Sequence, residues 1–150
     1  FNEFATASIE DIYGEVITSA YTRKVTEFSS LLLLNNGDLT FRVNKLPELA
    51  QTIPILSSDK YDINQDGYED IIIGGNIYNT EVETPRLDNQ FALVLLSNKK
   101  DNYIAIGPEK TGLYTNGNTK SLKIVKGEKP ILIIANNNGD SEVFQINIEK

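Results

Sequence analysis

The chain contains no cysteine, no histidine, no methionine and no tryptophan. Without imidazole or thiolate there can be no Ser-His-Asp triad, no Cys-His nucleophile, no zinc or copper site of the usual ligands and no disulfide. Chemistry is left to carboxylates, amides, hydroxyls, lysine and arginine, which points any bound metal towards a hard, oxygen-ligated cation such as Ca2+. Positive charge is also scarce. Fourteen Lys and Arg stand against 21 Asp and Glu, a net charge of -7, so neither nucleic acid nor an anionic membrane surface is an expected partner. Apolar runs such as Leu31 to Leu34 and Ile71 to Ile73 stop far short of the ~20 residues that cross a bilayer, and no membrane insertion is expected.

The 150 residues suffice for one domain with a real core. A start at Phe1 with no Met leads us to expect a processed chain or a piece of a longer one, and no signal-peptide pattern opens it. Residues 1–28 read differently from the rest. Ser8 is placed to cap a helix with Glu10 and Asp11 in its first turn, and Ile9, Ile12, Tyr13, Val16, Ile17, Ala20 and Tyr21 recur at helical spacing. One helix over about Ile9 to Tyr21, or two broken at Gly14, is expected to pack its apolar stripe on an adjoining sheet. A partner-binding helix is the alternative.

From Ser29 onward, short β-branched and aromatic runs alternate with clusters of Asn, Gly, Asp and Lys, the pattern of strands and hairpin turns. Strands are expected at Leu31 to Asn35, Thr40 to Asn44, Ile53 to Ser57, Asp70 to Gly74, Phe91 to Ser97, Tyr103 to Ile106, Ser121 to Val125, Pro130 to Ala135 and Glu142 to Ile148. Three stretches, 31–43, 94–106 and 132–146, share an apolar strand, an Asn-rich turn and a second strand with an aromatic near its start. Turn chemistry alone can produce such likeness. Self-similar antiparallel units are also how propeller blades look in sequence.

The sharpest chemistry lies in DINQDGYED, residues 62–70. Asp62, Asn64 and Asp66 put side-chain oxygens at positions 1, 3 and 5, Gly67 permits a reversal at position 6, Tyr68 offers its carbonyl and Asp70 falls at position 9. Such spacing can wrap a cation that takes six to eight oxygens. An EF-hand would need Glu at position 12, where this chain has Ile73 inside an apolar run, so the loop is expected to enter a strand. The alternative is an Asx-rich turn whose carboxylates cap backbone donors.

The string YDINQDGYEDIIIGGNIY (61–78) resembles the calcium loop and following strand of FG-GAP, or VCBS-type, repeats, which build integrin-like β-propellers. The match to their DxDxDGxxD loop falls on Asp62, Asp66, Gly67 and Asp70, with Asn64 replacing the second Asp. The flanking stretches resemble secreted bacterial propeller proteins related to the cartilage acidic protein group. The resemblance implies an all-β protein of about three antiparallel propeller-like blades in residues 29–150, an incomplete ring with a short helical N-terminal segment. It also implies a structural Ca2+ held by Asp62, Asn64, Asp66, Tyr68 and Asp70, a secreted or cell-surface location (periplasm or outer-membrane exterior if bacterial), and a protein or glycan as partner. Three blades cannot close a ring alone, so the open edges are expected to meet the rest of the chain, the N-terminal segment or a second copy. The loop near Asn136 to Asp140 lacks spaced carboxylates, and no second ion is expected there.

Residues 80–89, TEVETPRLDN, crowd Glu81, Glu83, Arg86 and Asp88 onto one loop. Paired carboxylates admit a glycosidase or polysaccharide lyase fragment, but alternation makes Glu81 and Glu83 outward residues with Arg86 as their ion-pair partner. A ligand or interface loop without catalysis is the expectation. Tyr61, Tyr68, Tyr78, Tyr103 and Tyr114 are read as packing in the sheets, with sugar stacking as the alternative. Lys99, Lys100, Lys110, Lys120, Lys123 and Lys126 are read as solvating turns and edges.

Overall fold

The computed structural model describes residues 1–99 and 101–147. Lys100 and the expected end of the last strand at Ile148 lie outside them. Nine strands are present among the described residues: β1 (Leu31–Asn35), β2 (Phe41–Lys45), β3 (Ser57–Tyr61), β4 (Asp70–Gly74), β5 (Leu93–Ser97), β6 (Tyr103–Ile106), β7 (Thr119–Val125), β8 (Ile131–Asn136) and β9 (Glu142–Gln145). They form three antiparallel sheets of two, four and three strands, ordered β1-β2, β3-β4-β5-β6 and β7-β8-β9. The fold is therefore mostly β with few helices. The three similar stretches are the hairpins β1-β2, β5-β6 and β8-β9, each supplying the last two strands of one sheet. Positive φ at Gly37, Lys99, Asp101 and Asn138 closes their turns, as the Asn- and Gly-rich tips require.

The sheets stack face on face with the four-stranded sheet in the middle. Its strand β4 is buried along its whole length, which explains an apolar run with no polar alternation. Ile71, Ile73, Leu93 and Leu95 form one core with Ala50 and Ile53, against which Leu32 and Leu46 pack from the β1-β2 side. Ile72 and Val94, pointing the other way, form a second core with Leu122, Ile124, Leu132 and Ile134 of the three-stranded sheet.

The expected strand at Ile53 to Ser57 is displaced. Pro54 has no N–H to donate to a ladder, and Ile53, 3% exposed, instead drops into the core beyond a 3₁₀ turn at Glu48–Thr52. The strand that pairs with β4 is the polar SSDKY of β3. Its polarity has a purpose at the seam with β7. Ser57 Oγ accepts from Leu122 N–H at 3.0 Å and Asp59 Oδ2 accepts from Ile124 N–H at 2.8 Å, so side chains satisfy alternate donors of the β7 edge. Lys123 Nζ lies 2.8 Å from the same Asp59 oxygen.

Asp59 should therefore make stability sensitive to acid. Burial pushes its carboxyl up, but the Ile124 N–H and the Lys123 ammonium outweigh burial and hold it below the ordinary 3.8. A depressed folded value means that the stabilisation is present above the unfolded value and lost as pH falls through the folded one. Asp59→Ala should lose about 1–3 kcal/mol at neutral pH by leaving a seam donor unpaired. Urea titrations across the acid range should show a shallower acid loss for Asp59→Asn than for the parent chain.

The N-terminal segment departs from expectation in its packing. A short helix not expected from the sequence, α1 (Asn2–Thr6), comes first, and the expected one breaks at Gly14 into α2 (Ile9–Tyr13) and a 3₁₀ turn at Gly14–Ser19. Ser8 caps α2 in a capping box with Asp11, and the Ser8 N–H and Oγ–H, both donating to Asp11 Oδ2 at 2.9 Å, hold its carboxyl below its usual range. None of these helices contains a buried residue, and Ile9, Ile12, Tyr13, Val16 and Tyr21 are exposed. The apolar stripe does not rest on a sheet. Five-residue helices are too short to build a continuous stripe, and the apolar residues that follow, Tyr21, Val25 and Phe28, are exposed as well. The segment is tied at its end by Glu27, whose carboxylate takes the Ser29 N–H at 2.8 Å and lies 3.1 Å from Lys45. Hydrogen bonds from Ser29, then Lys45, pull it down to about 2.

Candidate metal loop and neighbouring cleft

Residues 62–69 link the antiparallel strands β3 and β4. The reversal uses two left-handed residues, Gln65 at φ 56° and Gly67 at φ 88°. Asp62 accepts from two loop donors, Oδ1 from Asp66 N–H at 3.0 Å and Oδ2 from Gly67 N–H at 2.9 Å. Asn64 Oδ1 accepts from Asp66 N–H at 3.1 Å, and Asp66 Oδ1 from Tyr68 N–H at 3.0 Å. The loop is thus wound on its own side-chain oxygens, the Asx-turn pattern.

Asp70 has a different place from the other four. It is fully buried, and its oxygens accept from Ile63 N–H at 2.9 Å and from Ser97 N–H at 2.8 Å. It ties the start of the loop to the end of β5. The charge balance of the loop is completed from outside: Lys99 Nζ lies 3.7 Å from Asp66 Oδ2 and 5.3 Å from the centre of the Tyr68 ring. Lys60 pairs with Glu69 at 2.8 Å.

The donor set is all oxygen, as a hard cation requires. Among the described residues no group of three or more His, Cys, Asp or Glu side chains is arranged to hold a metal ion. The loop's own complement is two partly exposed carboxylates, Asp62 and Asp66, with the Asn64 amide oxygen sharing the Asp66 N–H, and Asp70 is the third carboxylate, engaged by two backbone donors. A carboxylate has about four lone-pair sites, so these hydrogen bonds occupy part of each group's capacity. The residue types fit a small-site calcium loop, provided Lys99 yields its place beside Asp66.

One feature beside the loop has no sequence signal. Between the second and third sheets lies a cleft of about 580 Å3, walled by Ile63 and Asn64 of the loop, Leu96 and Ile106, and Phe144 and Ile146, with Lys110 at its side. Its walls come from segments more than 80 residues apart in the chain, and each wall residue alone reads as ordinary strand packing.

The 80–89 loop is held at its base by a two-way bridge between Ile77 and Leu87, at 2.9 and 2.8 Å. Arg86 pairs with Asp88 at 2.9 Å and lies over the Tyr78 ring at 4.6 Å, while Tyr78 OH donates to Asp88 at 3.4 Å. The expected pairing of Arg86 with Glu81 and Glu83 is replaced by this nearer one, since Asp88 is largely buried and gains more from a partner; Glu81 and Glu83 are exposed. Burial and the Asp88 charge raise the Tyr78 hydroxyl above its usual range. Tyr61 and Tyr103 pack on the two cores, whereas Tyr68 and Tyr114 are exposed. Two lysines exceed their expected solvating role, Lys123 at the seam and Lys120, whose Nζ donates to the Asn76 carbonyl at 2.8 Å.

No helix among the described residues is long and apolar enough to cross a membrane. Protein-family models, curated proteins and solved structures yield no match to the chain.

Proposed function

We propose that this chain is a non-catalytic, calcium-stabilised interaction module built of propeller-type blades, acting on a protein or glycan outside the cell. The observation that carries the reading is the 62–70 loop. Asp62, Asn64, Asp66 and the Tyr68 carbonyl fall on one tight reversal with left-handed Gln65 and Gly67, and Asp70 anchors that reversal to a fully buried strand. Ca2+ on this loop supplies cross-linking charge and no reaction chemistry. The residues that would hold it are Asp62, Asn64, Asp66, Tyr68 and Asp70. Because Ile63 and Asn64 also wall the cleft, ordering the loop orders one side of a concave surface, which supports a binding role. The Asp88 carboxylate is committed to Arg86 and Tyr78, which favours an interface loop over a catalytic pair.

Calorimetric titration of chelator-treated protein should give a Kd on the order of 10⁻⁴ to 10⁻³ M. Calcium at a hundred times that Kd should add about 2.7 kcal/mol of stability, seen as a rise in Tm, and Asp62→Asn with Asp66→Asn should remove both signals. The absence of both binding heat and thermal shift up to about 100 mM calcium, a hundred times the weakest expected Kd, would overturn the proposal.

A further inference from the structure

The second and third sheets are tied along one edge, where Leu122 N–H bonds to Ser57 and Ile124 N–H to Asp59 across the seam of β3 and β7. The cleft lies away from that seam, towards β6 and β9. Ile72, Val94 and Leu132 form its floor and are at most 6% exposed. Leu96 and Ile106 share the Val94 face of the middle sheet, since Leu96 is two residues on and Ile106 is the register partner of Val94. The other wall is Phe144 of β9 and Ile146 just beyond it. All four wall residues are only half-buried. At about 580 Å3 the space is within the roughly 300–1,000 Å3 of small-molecule sites.

The charge of the lining runs against that of the chain. Acidic residues outnumber basic ones by 21 to 14, yet among the described residues no Asp or Glu lines the cleft, and its one charged lining residue is Lys110. Lys110 sits on the single helical turn Pro108–Thr111 and is exposed. It forms no ion pair among the described residues, whereas Lys45, Lys60, Lys99 and Lys123 each face a carboxylate. The polar lining is otherwise neutral, with Asn64 and Gln145 in it. We infer that the cleft binds an amphipathic monoanion, a carboxylate with an apolar tail, the tail lying between the two half-buried walls and the carboxylate at the Lys110 ammonium. The tail takes the exposed surface of four apolar side chains out of water, and the ammonium gains a partner without giving one up. A sugar would leave hydroxyls unpaired against those walls, and a cation would be repelled by Lys110.

Neither tail nor carboxylate needs calcium, so the test is run in chelator, with sodium decanoate as the probe and decylammonium as its charge-reversed counterpart. Decanoate followed by methyl NMR should shift Leu96, Ile106 and Ile146 saturably, with a Kd on the order of 10⁻³ M or tighter for a ligand of about a dozen heavy atoms. The exposed Leu33 and Val43 of β1-β2 should stay unmoved. Decylammonium should leave the cleft methyls where they are, in spite of the net charge of -7. Lys110→Gln and Gln145→Glu, both at exposed positions, should each weaken decanoate by about three- to fivefold, and Lys110→Arg should bind it like the parent chain. The assignment is overturned by any of four results: no saturable shift up to about 10 mM decanoate, cleft shifts as large with decylammonium, Leu33 and Val43 moving as much as the cleft methyls, or Lys110→Gln binding as tightly as the parent.

Discussion

Asp70→Ala should lower unfolding free energy by about 3–5 kcal/mol, the loss expected when a buried charged acceptor is removed and its donors are left unpaired. The side chain has no exposed surface, so water cannot replace it without opening the sheet. Its two oxygens hold the N–H groups of Ile63 and Ser97, which belong to segments that otherwise have no covalent or ladder link at that point. Asp70→Asn keeps the volume and one acceptor but turns an amide N–H towards a backbone donor, and should lose about 2–3 kcal/mol. Urea unfolding in the presence of chelator isolates this structural term. An Asp70→Ala chain as stable as the parent under chelator would show that the two hydrogen bonds carry no weight. If calcium binds, the same variant should also lose the calcium-dependent rise in Tm, because Asp70 fixes where the loop begins.

Gly75→Ala should be comparably damaging, by about 3 kcal/mol or more. A Cβ at Gly75 would stand 2.1 Å from the Pro54 carbonyl oxygen and 2.8 Å from the Leu56 backbone nitrogen. Both obstacles are backbone, in a segment fixed by the bond from Leu56 N–H to the Gly74 carbonyl at 3.1 Å, so no rotamer change relieves the clash. For a chain of this size the loss corresponds to a fall in Tm of roughly 6–12 °C. Gly67→Ala is the informative control. Nothing lies within 4 Å of its added Cβ, but φ is +88°, so its cost of about 1–2 kcal/mol is backbone strain alone. Thermal melts that place Gly67→Ala below Gly75→Ala would contradict the packing argument.

Much of the fold was legible in the residues. Strands β1, β4 and β6 fall where the apolar and β-branched runs begin and end, because a strand in an antiparallel sheet must show its alternation or its double burial locally. Strand β3 was misplaced because Ser57, Ser58, Asp59 and Lys60 carry no apolar signal. Their place in the sheet is owed to β4 on one edge and to the unsatisfied donors of β7 on the other, 65 residues away. The helix α2 and its break were legible, through Ser8, Asp11 and Gly14, whereas α1 at Asn2–Thr6 was not expected; the exposure of both was not legible, because periodicity records an apolar stripe but not whether anything meets it.

By itself the sequence determined that there would be no thiol or imidazole chemistry, that the chain would be mainly antiparallel β with Asn- and Gly-rich hairpins, and that residues 62–70 would form an oxygen-lined reversal at Gly67. These follow from side-chain inventory and from backbone preferences that act within a few residues. The tertiary structure alone decided that Asp70 is a buried tie to Ser97, that Gly75 serves a close backbone approach and not a turn, that Arg86 belongs to Asp88, and that a cleft opens beside the loop. Each of these depends on which distant segments are brought into contact by burying Ile71 to Ile73 on both faces, and hydrophobic burial is non-directional, so its partners are settled only when the three sheets pack.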